Sequence, residues 1–138
     1  MRPGLWSSAS DVTALIEGGD RQIVDARDAE TYSGALQRGS RGGHIPTAVN
    51  LPIRDLFDGD GLWKNPGDLR TAARAAGVDP DRPVTAYCNG GVTATAVLFG
   101  LHRAGLDDIS NYDGSWNEWG ERPELPVEGN RDLWEHET

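Results

Sequence analysis

Short apolar runs alternate with amphipathic stretches through most of this chain. Val84-Thr85-Ala86-Tyr87 is a β-rich run with the character of a buried strand, and Gln22 to Asp25, Ala48 to Leu51 and Ile109 to Tyr112 read as three more. Between them the spacing turns helical. Ser10 predicts a cap for a short helix, Asp11 to Glu17, closed by Gly18-Gly19. Asn65 predicts a cap with Pro66 at the first helical position; Leu69, Ala72, Ala73 and Ala76 form the apolar face, and Gly77 ends the helix. A further helix is predicted over Thr93 to Ala104, with Ala96, Val97, Gly100 and Leu101 on one face and Gly105 as its stop. Ile53 to Phe57 reads as one helical turn, Thr31 to Gly43 as a Gly-, Ser- and Arg-rich surface loop. Asp58-Gly59-Asp60-Gly61 reads as a turn, since it lacks the further carboxylates of a calcium loop. Repeated strand-then-helix order predicts an α/β fold with a central parallel sheet flanked by helices.

Composition narrows the class. With 138 residues, 37% hydrophobic and 25% charged, the chain suits one domain with one core. Residues 10–128 are expected to form that domain, 1–9 a linker-like segment and 129–138 a tail. No apolar run approaches the length of a bilayer span, and Met1 to Trp6 has no apolar core of a leader, so a cytoplasmic protein is expected. The formal charge of −9 argues against nucleic acid and anionic membranes as partners. An anionic substrate would have to be collected by local dipoles and a few placed arginines.

Cys88 is the one cysteine, which excludes an internal disulfide and a CxxC pair. His44, His102 and His136 lack metal-ligand spacing, so neither a metal nor a cofactor is expected. Cys88 stands at the carboxyl end of a predicted parallel strand, where ligands of open α/β sheets bind. Cys88-Asn89-Gly90-Gly91-Val92-Thr93 then runs straight into a helix, aiming several backbone N–H groups at one spot and favouring an anion on sulfur. Two readings remain open from these residues alone: a nucleophile, or a small buried inert thiol.

The wider sequence adds a resemblance. Cys88 to Ala94 resembles the active-site loop of the rhodanese sulfurtransferases, with the Gly-Val-Thr-Ala ending of the thiosulfate and 3-mercaptopyruvate enzymes. Gly43-His44-Ile45-Pro46-Thr47-Ala48-Val49-Asn50 is similar to a second family signature, with Thr47 where glycine is usual. Val24-Asp25-Ala26-Arg27 and Tyr112-Asp113-Gly114-Ser115-Trp116 resemble two more, the latter from the catalytic half of tandem enzymes. The resemblance implies a rhodanese-like fold and a Cys88 persulfide formed from a small-molecule sulfur donor, thiosulfate or a relative, and passed to a thiophilic acceptor such as cyanide or a thiol. It implies that Asn89, Gly90, Gly91, Val92 and Thr93 bind substrate, and that a second rhodanese domain, tandem or split, is a possible partner. In the loop, Asn89 and Gly90 replace both the Arg-Lys pair of animal thiosulfate enzymes and the Gly-Ser pair of mercaptopyruvate enzymes. Arg38 and Arg41, the cations of the loop Gly34 to Gly43, are therefore expected to hold the donor's anionic end. His44 is expected to be a structural loop residue and Asp25 with Arg27 a bracing ion pair. Competing expectations are a 3-mercaptopyruvate enzyme, a non-enzymatic persulfide carrier or sensor, and a phosphatase or arsenate reductase. The last needs a longer loop ending in arginine, where Thr93 stands.

Overall fold

The computed structural model describes residues 6–37 and 39–129. Its central strand is β4 (Val84–Tyr87), buried at all four positions. β4 pairs in parallel with β2 (Gln22–Asp25) on one side and β5 (Ile109–Tyr112) on the other. Two short edge strands complete the sheet: β1 (Trp6–Ser7) beside β5 and β3 (Val49–Asn50) beside β2. The five-stranded order is β1-β5-β4-β2-β3. Parallel neighbours require crossovers. Here these are α1 (Ala9–Ile16), α2 (Ala29–Ser33), α3 (Pro66–Ala76) and α4 (Val92–Arg103), with α5 (Ser115–Trp119) following β5. The expected α/β fold with a parallel sheet flanked by helices is the one observed.

Strand alternation divides the core between the two faces of the sheet. Val84, Ala86 and Cys88 point to one face, where Leu69 and Ala73 of α3 and Val97 and Leu101 of α4 cover them. Ile23, Tyr87 and Tyr112 point to the other, under Val12 of α1 and Trp116 and Trp119 of α5. The chain leaves β2 towards β3 and leaves β4 towards β5. Those divergent exits open a crevice above the carboxyl ends of β2 and β4, the place where doubly wound sheets bind ligands.

Several boundaries differ from expectation for local reasons. α1 begins at Ala9, because Ser8 and Asp11 form a reciprocal capping box; Ser10 is not the cap. β1 lies within the segment expected to be a linker, where Trp6 pairs with Asn111. Its strand character comes from β5, not from its own two residues. α2 interrupts the expected 31–43 loop: Asp28 caps it by accepting from Thr31 N, and Gly34 ends it in the left-handed region. α5 occupies a signature segment that carried no periodicity of its own. Beyond it, at the end of the expected 10–128 domain and before the expected 129–138 tail, Leu125 is buried and Glu128 pairs with the His44 backbone. Residues 130–138 of that tail, with Trp134 and His136, lie outside the described residues. Thr47 sits at φ 72°, strained for a β-branched residue.

Candidate functional site

β4 delivers the chain into a tight turn at Cys88, whose side of the strand faces the α4 core. Cys88 is only 3% exposed, and its Sγ accepts the Gly91 N–H at 2.9 Å. The turn is held from the α5 side. Trp116 N donates to Cys88 O at 2.9 Å and Asn117 N to Asn89 O at 2.9 Å. Cys88 N donates to Ser115 Oγ, which in turn donates to Tyr112 O. Asn111 Nδ2 reaches Gly91 O and Thr95 Oγ1, tying β5 to the start of α4.

Gly91 makes this geometry possible. Its φ is +96°, and a Cβ there would meet Asp113 Oδ1 at 2.9 Å. It is also the N-cap of α4 and makes no side-chain cap bond. The Thr95 hydroxyl bonds back to Gly91 O and caps no N–H of the first turn. Without a capping side chain, the first turn of a 12-residue helix keeps its positive end for a ligand.

A cleft of about 400 Å³ opens beside the sulfur. One wall is the turn itself, Cys88, Asn89 and Gly90 with Val92 and Thr93. The exit of β2 adds Ala26, Arg27 and Asp28 to the lining, and the exit of β3 adds Pro52, Ile53 and Arg54. The expected loop residues are thus brought together around Cys88, with Gly91 contributing its N–H from behind. Asn89 Oδ1 is buried there without a hydrogen-bond partner.

The two expected arginines do not join them. Arg38 lies outside the described residues. The Arg41 guanidinium is occupied elsewhere, donating to the carbonyls of Trp119, Gly120, Arg122 and Leu125 at 2.6–3.2 Å. It closes the end of α5 and the chain beyond it. The physical reason is that carbonyls at and after the end of a short helix have spare accepting capacity for the nearest fork of donors. Arg41 reaches four of them, two of which, Trp119 O and Arg122 O, also accept a backbone N–H. Arg27 and Arg54 line the cleft in their place. Sequence reasoning missed Arg54 because it joins the Cys88 lining only once β3 is laid on the far side of β2 from β4.

The β2 exit carries a buried charged network. Arg27 donates to both oxygens of Asp25 and to Gly43 O, and its guanidinium lies 4.5 Å above the Trp116 ring. Tyr87 donates its hydroxyl to Asp25 and accepts from Ile45 N. Burial opposes the Arg27 charge, but the Asp25 carboxylate outweighs it and holds the pKa above its ordinary value. Burial and the same carboxylate push the Tyr87 phenol well above its usual range. The pair braces the β2 exit, as expected. His44 stacks on Tyr32 with centroids 3.8 Å apart and bonds to Tyr32 O through Nδ1, a structural setting.

A buried thiol that accepts the Gly91 N–H, at the switch point of a parallel sheet and on the lining of a cleft, is the candidate site of this fold. The sequence model of the rhodanese-like domain matches residues 8–122, and the chain belongs to that family. Among curated relatives, it is 34% identical to thiosulfate/3-mercaptopyruvate sulfurtransferase 1, mitochondrial, from Arabidopsis thaliana, over 92% of this chain and 34% of that protein. It is 37% identical to the 3-mercaptopyruvate sulfurtransferase of Escherichia coli K12, over 86% of this chain and 43% of that protein. The chain therefore spans between a third and a half of the length of these relatives. The crystal structure of SseA from Escherichia coli superposes with a TM-score of 0.72 at 32% identity, covering 84% of this chain and 44% of the other. The structure of EanB gives a TM-score of 0.81 at 22% identity, over 93% of this chain and 32% of that one, a likeness of fold alone. Among the described residues no helix is long and apolar enough to cross a membrane.

Proposed function

We propose that this chain transfers a sulfane sulfur through a persulfide on Cys88, with thiosulfate as donor and a thiophile such as cyanide or a thiol as acceptor. The observation that carries the reading is the Gly91 N–H aimed at Cys88 Sγ from 2.9 Å, at the uncapped start of α4. The Cys88 thiolate attacks the outer sulfur of thiosulfate. The S–S bond of the donor breaks, its electron pair leaves with sulfite, and a new S–S bond forms on Cys88. The acceptor attacks the outer sulfur of the persulfide and restores the thiolate; with cyanide, thiocyanate departs. Backbone dipoles offset the anionic sulfur through both steps. The second reading, mercaptopyruvate as donor, is supported by the name of the Escherichia coli relative. Thiosulfate is favoured here because Gly90 leaves no serine in the loop. A second rhodanese-like domain, in tandem or as a separate chain, is a partner compatible with this scheme.

Incubation with thiosulfate followed by intact-mass measurement tests the reading. One sulfur atom added to the wild-type chain, absent in Cys88→Ser and removed by cyanide with release of thiocyanate, is expected. A sulfur that loads but never passes to an acceptor would make the chain a carrier or sensor. A chain that gains no sulfur from either donor would overturn the reading.

A further inference from the structure

We propose that Arg54 grips the anionic end of the sulfur donor and thereby sets preference for anionic donors. The proposal rests on the reading of Cys88 as the sulfur-bearing nucleophile. When the outer sulfur of thiosulfate meets Cys88 Sγ, the oxygen-bearing end must point away from the turn, into the cleft. The N–H groups of the turn serve the transferred sulfur, so the oxyanion needs another partner.

Among the described residues, two cations line the cleft, Arg27 and Arg54. Arg27 is engaged: its side chain is 2% exposed and donates to both oxygens of Asp25 and to Gly43 O. Arg54 differs in each respect. It is exposed, and among the described residues its guanidinium makes no hydrogen bond or ion pair. Its backbone is nevertheless fixed. Arg54 sits in a 3-10 turn, Ile53–Leu56, in which Asp55 N donates to Pro52 O and Phe57 N to Arg54 O. Leu51 N bonds to Asp25 O before the turn, and Leu56 within it is fully buried. The turn therefore fixes the Arg54 backbone on the lining it shares with Cys88, while among the described residues nothing claims the fork.

The charge balance makes that fork matter. The chain carries a formal charge of −9, and the Asp28 carboxylate lies on the same lining, where it caps α2. A donor anion entering this field meets repulsion unless a cation faces it. Arginine suits the task, since its planar fork offers two parallel donors to the paired oxygens of a sulfonate or carboxylate. A neutral reagent gains nothing from it.

The test is steady-state sulfur transfer from thiosulfate to cyanide at low salt, with wild type, Arg54→Ala, Arg54→Lys and Arg54→Glu. Arg74→Ala, on the exposed face of α3, makes the same charge change away from the cleft. Arg54→Ala should raise the thiosulfate KM about tenfold with kcat little changed, as expected for a lost charge-assisted bond. Arg54→Glu should raise it further, Arg54→Lys should recover part of the loss, and Arg74→Ala should match wild type. Alkylation of Cys88 by neutral iodoacetamide should proceed at one rate in all five proteins, and matching thermal midpoints should confirm that all fold. An Arg54→Ala KM equal to that of wild type, in a wild-type chain that loads sulfur, overturns the grip and leaves the persulfide reading intact. A wild-type chain that alkylates but never loads sulfur overturns both.

Discussion

Two glycine-rich connections join the sheet to its helices, one between α2 and β3, the other between β4 and α4. Each carries polar groups suited to an anion, yet the fold uses them differently. In the first, Arg41 is half-buried with its guanidinium on four carbonyls, and Ser40 donates to Glu121. Those bonds from Ser40 hold the Glu121 carboxyl below its ordinary pKa. In the second, the carbonyls of Cys88 and Asn89 are bound by α5 while the Gly91 N–H at the start of α4 is directed at the Cys88 sulfur. A residue type states what bonds a group can make; the tertiary neighbourhood decides which of them the fold already uses.

Gly91→Ala should break the comparison most severely. The Cβ would collide with Asp113, and the left-handed φ costs an L-residue about 1–2 kcal/mol. We expect sulfur loading on Cys88 to fall by about 100-fold, since misplaced catalytic geometry commonly costs that much. Mass spectrometry against time measures it, and loading at the wild-type rate would show that the Gly91 N–H is not needed.

Arg41→Ala should sharpen it from the other side. Losing the donors to four carbonyls should lower stability by about 2–3 kcal/mol in urea unfolding. The folded variant should keep the wild-type thiosulfate KM. A raised KM at unchanged stability would return Arg41 to the role the sequence suggested.

The buried network below the cleft predicts a smaller, pH-dependent effect. Tyr87→Phe removes a donor to Asp25 and an acceptor for Ile45 N, at a cost of about 1–2 kcal/mol near neutral pH. The folded-state phenol pKa is raised, so its contribution is complete below the unfolded value of about 10 and is lost as pH climbs above it. Wild type should lose stability more steeply than Tyr87→Phe above that pH; parallel curves would contradict the shift. Smaller still, Thr47→Gly should raise stability by about 0.5–1 kcal/mol by relieving the φ of 72°. A thermal midpoint that does not rise would show the Thr47 strain to be offset by its own contacts.

Much of the scaffold was legible because it depends on local chemistry. The strands Gln22–Asp25, Val84–Tyr87 and Ile109–Tyr112 and the helix Pro66–Ala76 are observed where apolar runs, caps and stops predicted them. Cys88 was legible as a candidate because one thiol, two glycines and a following helix announce a cradle within a few residues. β1, α2 and α5 were missed because two to five residues carry too little periodicity, and their form is imposed by partners such as Asn111 and Cys88. The sequence by itself determined the α/β class, the family resemblance and the position of the candidate nucleophile, all properties of adjacent residues. Only the tertiary structure decided which arginines line the cleft beside Cys88. Strand order, with β2 between β3 and β4, brings Arg54 and Cys88, 34 positions apart, to the lining of one cleft, while α5 draws Arg41 to its own carbonyls. That choice is made by competition among distant groups for one set of donors, a competition that begins only when the chain has folded.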